Sequence, residues 1–494
     1  MHLRTFVGAS SVVANLCSSL MKLVRRSAAV ACALIFSLVG RDAYAGGYLT
    51  ARYGADDGTP AVPNTFAIYF NPAALGGTKG TTITGDLSLV YRHVSYTRGE
   101  DALSPSRPAQ RNDPNYVRAN TGTNTINNVL ALPFAGVNTD FGSKYFRAGF
   151  ATYIPFGGMA YWGKNDEVTG VPGAVDGPNR WHNISGQILA IYNTLAAAVV
   201  LGDTGLSLGA SLSGIVHNVA TVRARNSDGS DDVTGPTGAI QEGRSYINGW
   251  GFNLGAAFGL YWQNKDETAR IGLSYTSQPG FGTTNINGTL TQVLSAAQPG
   301  ADQDVTLKQA YPDIWRLGGT IGLSPRWEVR SDVEYARWRT FDNQCLVQRG
   351  AECTLDANGG DPTNKNVILN IPREYRDTLT WRMGPVYKLS QKVSVHGSFG
   401  VGTPAVPKKT MDASTIDALT LFFTAGARFT PTKHLGIGVS YNHLYLTNVD
   451  TTGVAGQYNY RGPDGRFNVS TSPSAAGKYS SQIGFLNANV SYTF

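Results

Sequence analysis

Along most of the chain, apolar residues alternate with small or polar ones at a period of two. In 250–260 the even positions are Trp250, Phe252, Leu254, Ala256, Phe258 and Leu260, against Gly251, Asn253, Gly255, Ala257 and Gly259. The same pattern sets Trp327, Val329, Val333 and Tyr335 against Glu328, Arg330, Asp332 and Glu334, and Leu435, Ile437, Val439 and Tyr441 against Gly436, Gly438, Ser440 and Asn442. Period-two alternation predicts strands with one apolar face. A face carrying Arg330 and Asp332 cannot point into lipid, where each charge near the midplane costs about 2–4 kcal/mol, so it lines a wet or internally paired lumen. The last strand places Leu486, Ala488, Val490, Tyr492 and the terminal Phe494 on one face, and aromatics at strand ends suit the membrane interfaces.

Fourteen strands are predicted, at 81–97, 124–134, 145–155, 183–200, 205–220, 247–262, 268–292, 313–323, 326–340, 375–389, 392–402, 418–430, 434–448 and 480–494. Short turns such as 202–203 and 431–433 alternate with long polar connections at 98–123, 156–182, 221–246, 293–312, 341–374, 403–417 and 449–479. In outer-membrane barrels the periplasmic turns are short and the extracellular loops long, which puts both termini on the periplasmic side. A soluble β-sandwich also alternates faces, but its turns recur every 8–12 residues or so and these strands are longer. The predicted fold is all-β: an antiparallel transmembrane barrel occupying 81–494. Ahead of it, 46–80 does not alternate and carries Gly54, Asp56, Asp57, Gly58, Pro60 and Pro63. That segment is expected to fold as a plug inside the barrel, the alternative being a disordered periplasmic tail.

At the N-terminus, Lys22, Arg25 and Arg26 precede an apolar run at 27–40 and the tripeptide Ala43-Tyr44-Ala45, which reads as a secretory signal peptide cleaved after Ala45. Residues 1–20, ahead of Met21, are set aside as an upstream extension of the start. No later apolar stretch reaches the ~20 residues of a spanning helix, so a membrane protein of this sequence must be a closed barrel. Loss of 1–45 removes five basic residues and one acidic residue, and the formal net charge falls from +7 to +3. No Lys/Arg cluster remains to suggest nucleic-acid binding. Cys345 and Cys353 stay in the mature chain, and an exported pair so close in sequence is expected to form a disulfide that pins a loop, free thiols being the alternative. The seven histidines show no metal-ligand spacing, and neither a metal nor a cofactor is expected.

Tyr69-Phe70-Asn71-Pro72-Ala73-Ala74-Leu75 resembles the FadL/TodX (OMPP1) family of outer-membrane transporters for long-chain fatty acids and aromatic hydrocarbons. Tyr153-Ile154-Pro155-Phe156-Gly157, Gly249 to Gly255, Arg270 to Tyr275, Pro325 to Val329 and Ala425 to Phe429 extend the resemblance in order over the mature chain. Ala74 stands where the family often has glycine. The resemblance implies passive uptake of a hydrophobic small molecule, fatty acid or hydrocarbon: capture by extracellular loops, a site inside the barrel, movement of a hatch, and sideways release into outer-membrane lipid.

The resemblance makes Asn71, Pro72 and Ala73 the candidate hatch and gating residues, the alternative being a turn that only keeps the plug from unfolding. Proline fixes φ and an asparagine side chain can satisfy a local backbone group, so the unit can hold a non-repetitive turn. Pro155, Gly157 and Gly158 are the candidate kink for a lateral opening, since proline cannot donate to a strand ladder and glycine frees the backbone; ordinary strand termination explains the same residues. A general diffusion porin is the alternative function, supported by the charged face around Arg330 and Asp332. A barrel lipase would need a Ser/His pair, and His396 and His443, with no accompanying motif, read as ordinary wall positions, so no enzyme activity and no catalytic residue is expected. The remaining expected partner is the barrel-insertion machinery, engaging the C-terminal strand of a monomer.

Overall fold

The computed structural model describes residues 52–165, 171, 173–293, 300–454 and 468–494. The leader, its cleavage point and residues 46–51 lie outside that set. Eighteen hydrogen-bonded segments form one continuous antiparallel sheet. Four strands are each broken once by a bend, so the segments make fourteen strands around the barrel. These are β1 (Thr81–Arg98), β2 (Gly122–Thr139), β3 (Phe146–Tyr161), β4 (Ser185–Val200), β5 (Leu206–Arg225), β6 (Gly243–Gln263) and β7 (Ala269–Thr276, then Thr283–Val293). They continue as β8 (Asp302–Ala310, then Ile314–Gly322), β9 (Trp327–Ala336, then Asn343–Gln348), β10 (Val367–Pro372, then Thr378–Lys388), β11 (Val393–Gly402), β12 (Thr420–Phe429), β13 (Leu435–Asp450) and β14 (Lys478–Thr493).

Pairing of β1 with β14, from Thr82 opposite Thr493 to Thr97 opposite Lys478, closes the wall. Closure leaves the sheet without a free end, which a bilayer demands because lipid offers no hydrogen bonds. The alternation resolves as the sequence predicts: Trp250, Phe252, Leu254, Phe258 and Leu260 are exposed on the outside, as are Leu486, Val490, Tyr492 and Phe494. On the inside, Arg316 pairs with Glu334 at 2.7 Å, Arg382 with Asp332 at 2.8 Å and Arg330 with Glu328 at 2.7 Å. The charged face is therefore internally paired, and the feature that favoured a porin is spent on packing the lumen.

Two expectations about loops need correction. The connections at 293–312 and 341–374 hold three further strand segments, Asp302–Ala310, Asn343–Gln348 and Val367–Pro372, which with Thr283–Val293 form an extension of β7–β10 beyond their bends. Their inner face buries Ile286, Leu290, Val305, Leu307, Leu346 and Leu369 against Val219 of β5. Apolar residues on one face of a short polar-looking run become visible only once the run has something to cover. Likewise β3 does not stop at Pro155 but continues to Tyr161, with a bulge between Tyr153 and Phe156. Cys345 and Cys353 are bonded in the structure, with 6.3 Å between their Cα atoms, and the bond ties the extension to the loop after it.

Over the mouth, loops that look uniformly polar in sequence are held by buried ion pairs. Arg98 binds Asp231 at 2.7 Å and the Ser474 and Asn120 carbonyls, joining three connections at one guanidinium. Arg180 binds Glu242 at 2.9 Å and the Ala119 carbonyl at 2.6 Å, and Arg373 binds Asp412 at 2.9 Å. Removing one partner of such a pair leaves a buried charge and costs about 3–5 kcal/mol.

Candidate functional site

The segment from Arg52 to Gly80 packs on the lumen faces of the wall and consists of a 3-10 turn (Ala55–Asp57), one turn of α-helix (Ala67–Phe70) and a 3-10 helix (Pro72–Gly77). Asn71 begins the last of these: its Oδ1 accepts from Ala73 N at 3.1 Å, while proline at the next position needs no donor partner. Its Nδ2 donates to the Pro60 carbonyl at 2.9 Å and to Leu260 O of β6 at 3.0 Å. Asn71 is fully buried, so one side chain caps a helix, braces the segment internally and fastens it to the wall. Pro72, Ala73 and Leu75 are buried with it.

The wall is shaped to receive this unit. A Cβ at Gly259 would stand 1.9 Å from Asn71 Oδ1, one at Gly272 would stand 1.9 Å from Pro60 O, and one at Gly209 would stand 2.2 Å from Ala73 N. The small residues that alternate with the lipid-facing ones thus make a seat for the segment. At its other end Asp57 pairs with Arg330 at 2.6 Å and Arg428 at 3.1 Å, and Asp56 accepts from Ser398 at 2.8 Å.

Pro155, Gly157 and Gly158 fall at an interruption in the wall. The β2–β3 ladder runs from Thr139 opposite Ala148 to Phe134 opposite Tyr153 and stops, and the next β2 residue is Pro133. Beyond it the strands rejoin through an isolated bridge, Ile126 to Trp162, and the Gly163 N–H donating to Thr125 O at 2.9 Å. Across the intervening opening the Asn128 side chain donates to the Met159 carbonyl at 3.1 Å. β4 still pairs with β3 from Phe156 onward, so over this stretch the backbone ladder is made on one side only.

A cavity of about 230 Å³ reaches this opening, where Gly157, Gly158, Met159, Asn128 and Leu130 line it. Elsewhere its walls are Ile188, Val219, Leu307, Phe422 and Leu444, with Arg52, Arg92, Arg223 and Arg373 among the apolar residues. Of the acids that line it, Glu334 is bound to Arg316, and Asp417 accepts from the N–H groups of Ala405 at 2.8 Å and Ala418 at 2.9 Å. Below the cavity the lumen is filled by touching rings. Tyr375, Trp338, Phe156, Tyr192 and Tyr153 follow one another at 5.7, 6.1, 6.3 and 5.6 Å between centroids, ending against Tyr53 and Tyr69 of the N-terminal segment.

The cap residues His182 and Asp412 tie this site to pH. Burial pushes the His182 imidazole down to about 3. Burial opposes ionisation of Asp412, but Arg373, His182 and the Ser414 donors outweigh it and hold the carboxyl well below the usual range. In each case the unfolded chain binds the proton more readily, so the stability these groups confer is lost as pH falls. The first loss begins below about 6.5, the ordinary histidine value, and the second below about 4. Thermal unfolding of the loops at pH 7.5, 5 and 3.5 is expected to shift downward in both steps, and His182→Gln should reduce the first.

A family profile described as outer membrane protein transport protein (OMPP1/FadL/TodX) matches residues 45–494. The chain belongs to that family. The resemblance read from the sequence is borne out, and with it the placement of the protein as an integral outer-membrane barrel of a transport family rather than an enzyme. A long-chain fatty acid transport protein of Escherichia coli O6:H1 is 24% identical over 206 residues, which is 39% of this chain and 42% of the relative. The chain therefore matches less than half the length of that relative. Among solved structures, a Pseudomonas aeruginosa FadL homologue superposes with a TM-score of 0.68 at 16% identity, covering 92% of this chain and all of the other. The Pseudomonas putida toluene transporter TodX gives 0.61 at 14% identity, covering 92% and 99%. Likeness at such identities shows the shared fold.

Sequence reading missed Arg52, Asn128 and Trp338. Pro133 was the readable signal for the opening, because a proline in mid-strand removes a ladder donor.

Proposed function

We propose that this protein takes up long-chain fatty acids or related amphipathic hydrocarbons passively, as a monomer. The extracellular cap captures the ligand, the cavity holds it, the hatch formed by 46–80 and centred on Asn71, Pro72 and Ala73 moves, and the ligand leaves sideways at Pro155, Gly157 and Gly158. The observation that carries this reading is a cavity with a largely apolar lining that reaches an unpaired stretch of wall, while the N-terminal segment packs into the lumen beside it. A hydrophobic molecule finds no favourable path through a water-filled pore, whereas an opening in the wall delivers it straight to lipid. Arginine side chains set among the apolar lining residues favour a carboxylate-bearing ligand over a neutral hydrocarbon.

The test combines uptake and conductance. Cells expressing the protein should accumulate labelled oleate faster than they take up toluene relative to controls, and the purified barrel should be nearly silent in a planar bilayer. Deleting Asn71–Ala73 should abolish oleate uptake while the barrel still shows the heat-modifiable mobility of a folded β-barrel. Normal uptake by that folded deletion would remove the hatch from the mechanism, and a large ohmic current from the wild type would restore the porin.

A further inference from the structure

Ile154 occupies an unusual place in the wall. It lies in the β3 bulge, outside the β4 register, and just past the last rung of the β2 ladder, so neither neighbouring strand pairs with it. A residue in such a bulge loses its rung, and a buried backbone group left without a partner is costly. Its partner is Tyr53 of the N-terminal segment: the Tyr53 hydroxyl donates to the Ile154 carbonyl at 2.7 Å, and the Ile154 N–H donates to the same hydroxyl at 2.7 Å. One phenol does for Ile154 what a neighbouring strand would do.

Tyr53 is also gripped from the hatch side. Its ring is fully buried between Tyr69 at 6.1 Å and the two residues at the fork of the opening, Phe134 at 5.4 Å and Tyr153 at 6.1 Å. The following residue, Gly54, has φ of 68° and donates its N–H to Asp86 of β1 at 2.8 Å. A Cβ at Gly54 would lie 2.5 Å from the Phe66 ring, so the backbone there admits little else. The preceding residue, Arg52, lines the cavity and lies over the Phe422 ring at 4.7 Å. Three consecutive residues therefore touch the ligand cavity, the unpaired strand and the wall.

We infer that Tyr53 is a latch coupling the cavity and hatch to the β2–β3 opening. A ligand that displaces Arg52 draws Tyr53 off Ile154, and the β3 bulge, tied then to β2 across the opening only by the Asn128–Met159 bond, is free to move away from β2. The inference rests on the transport reading above and adds to it the residue that transmits the movement.

Tyr53→Phe removes the hydroxyl and keeps every ring contact, and folding is checked by heat-modifiable mobility. The measurement is hydrogen exchange by mass spectrometry on the purified barrel, with and without oleate, in peptides covering 64–75 and 150–160. In the wild type, oleate is expected to speed exchange in both peptides together. In Tyr53→Phe the 150–160 peptide should exchange about tenfold faster before oleate is added, the effect of about one lost net hydrogen bond, and oleate should add nothing further there. A variant whose 150–160 peptide stays slow and oleate-responsive overturns the latch. Oleate that moves neither peptide of the wild type overturns the transport reading instead, whatever the variant does.

Discussion

Gly259→Val is expected to convert a nearly silent barrel into one that passes a steady current. The first added carbon would stand 1.9 Å from Asn71 Oδ1, inside any tolerable contact, and Gly259 lies mid-strand in β6, where paired neighbours hold its backbone. The wall cannot yield, so the N-terminal segment seated on it must. Moving Asn71 breaks its bonds to Leu260 O and Ala73 N and strips partners from groups that are buried, at about 1–3 kcal/mol for each group left unsatisfied. Valine is itself a good strand residue, so the barrel should fold and insert. Single-channel recording reads the outcome, and Gly85→Ala, where the added carbon meets nothing within 4 Å, is the control that should remain silent. An equally silent Gly259→Val barrel would mean that the segment seated on β6 does not seal the lumen.

Tying β2 to β3 should have the opposite consequence. Asn128 and Met159 face each other across the opening, where the asparagine amide meets the Met159 carbonyl at 3.1 Å. With both replaced by cysteine and joined by a short cleavable reagent, the strands cannot part, and oleate uptake is expected to fall to the background of cells without the protein. Cys345 and Cys353 are already bonded to each other, so the introduced thiols are the reactive ones. Cleaving the linker should restore uptake, with wild-type protein given the same reductant as the control. Oleate binding to the purified, cross-linked barrel should persist, because the cavity wall is otherwise intact. Full uptake through the tied barrel would exclude lateral release at this point and direct attention to a path past the hatch.

The wall was legible in the sequence because its rule is local. A strand exposing every second residue to lipid must alternate, and a barrel has no other way to satisfy its backbone, so strand number, the outward face and closure through the strand ending in Phe494 could all be read from period two. Asn71-Pro72-Ala73 stands out through the family resemblance, and proline and asparagine suit the turn it makes. Tertiary structure alone decided what those residues meet. Gly209, Gly259 and Gly272 read as the small face of three strands, and only the folded chain shows that they are a seat for Asn71 and its neighbours. Arg330 read as the lining of a wet or internally paired lumen, and Asp57, 273 residues away in sequence, decides for pairing. Val305, Leu307 and Leu346 sit in runs too short and polar to announce strands, and their apolar side becomes meaningful over a cavity built by other strands. Alternation reports which side of a strand faces lipid; what occupies the other side depends on contacts between residues far apart in the chain, and no local period encodes them.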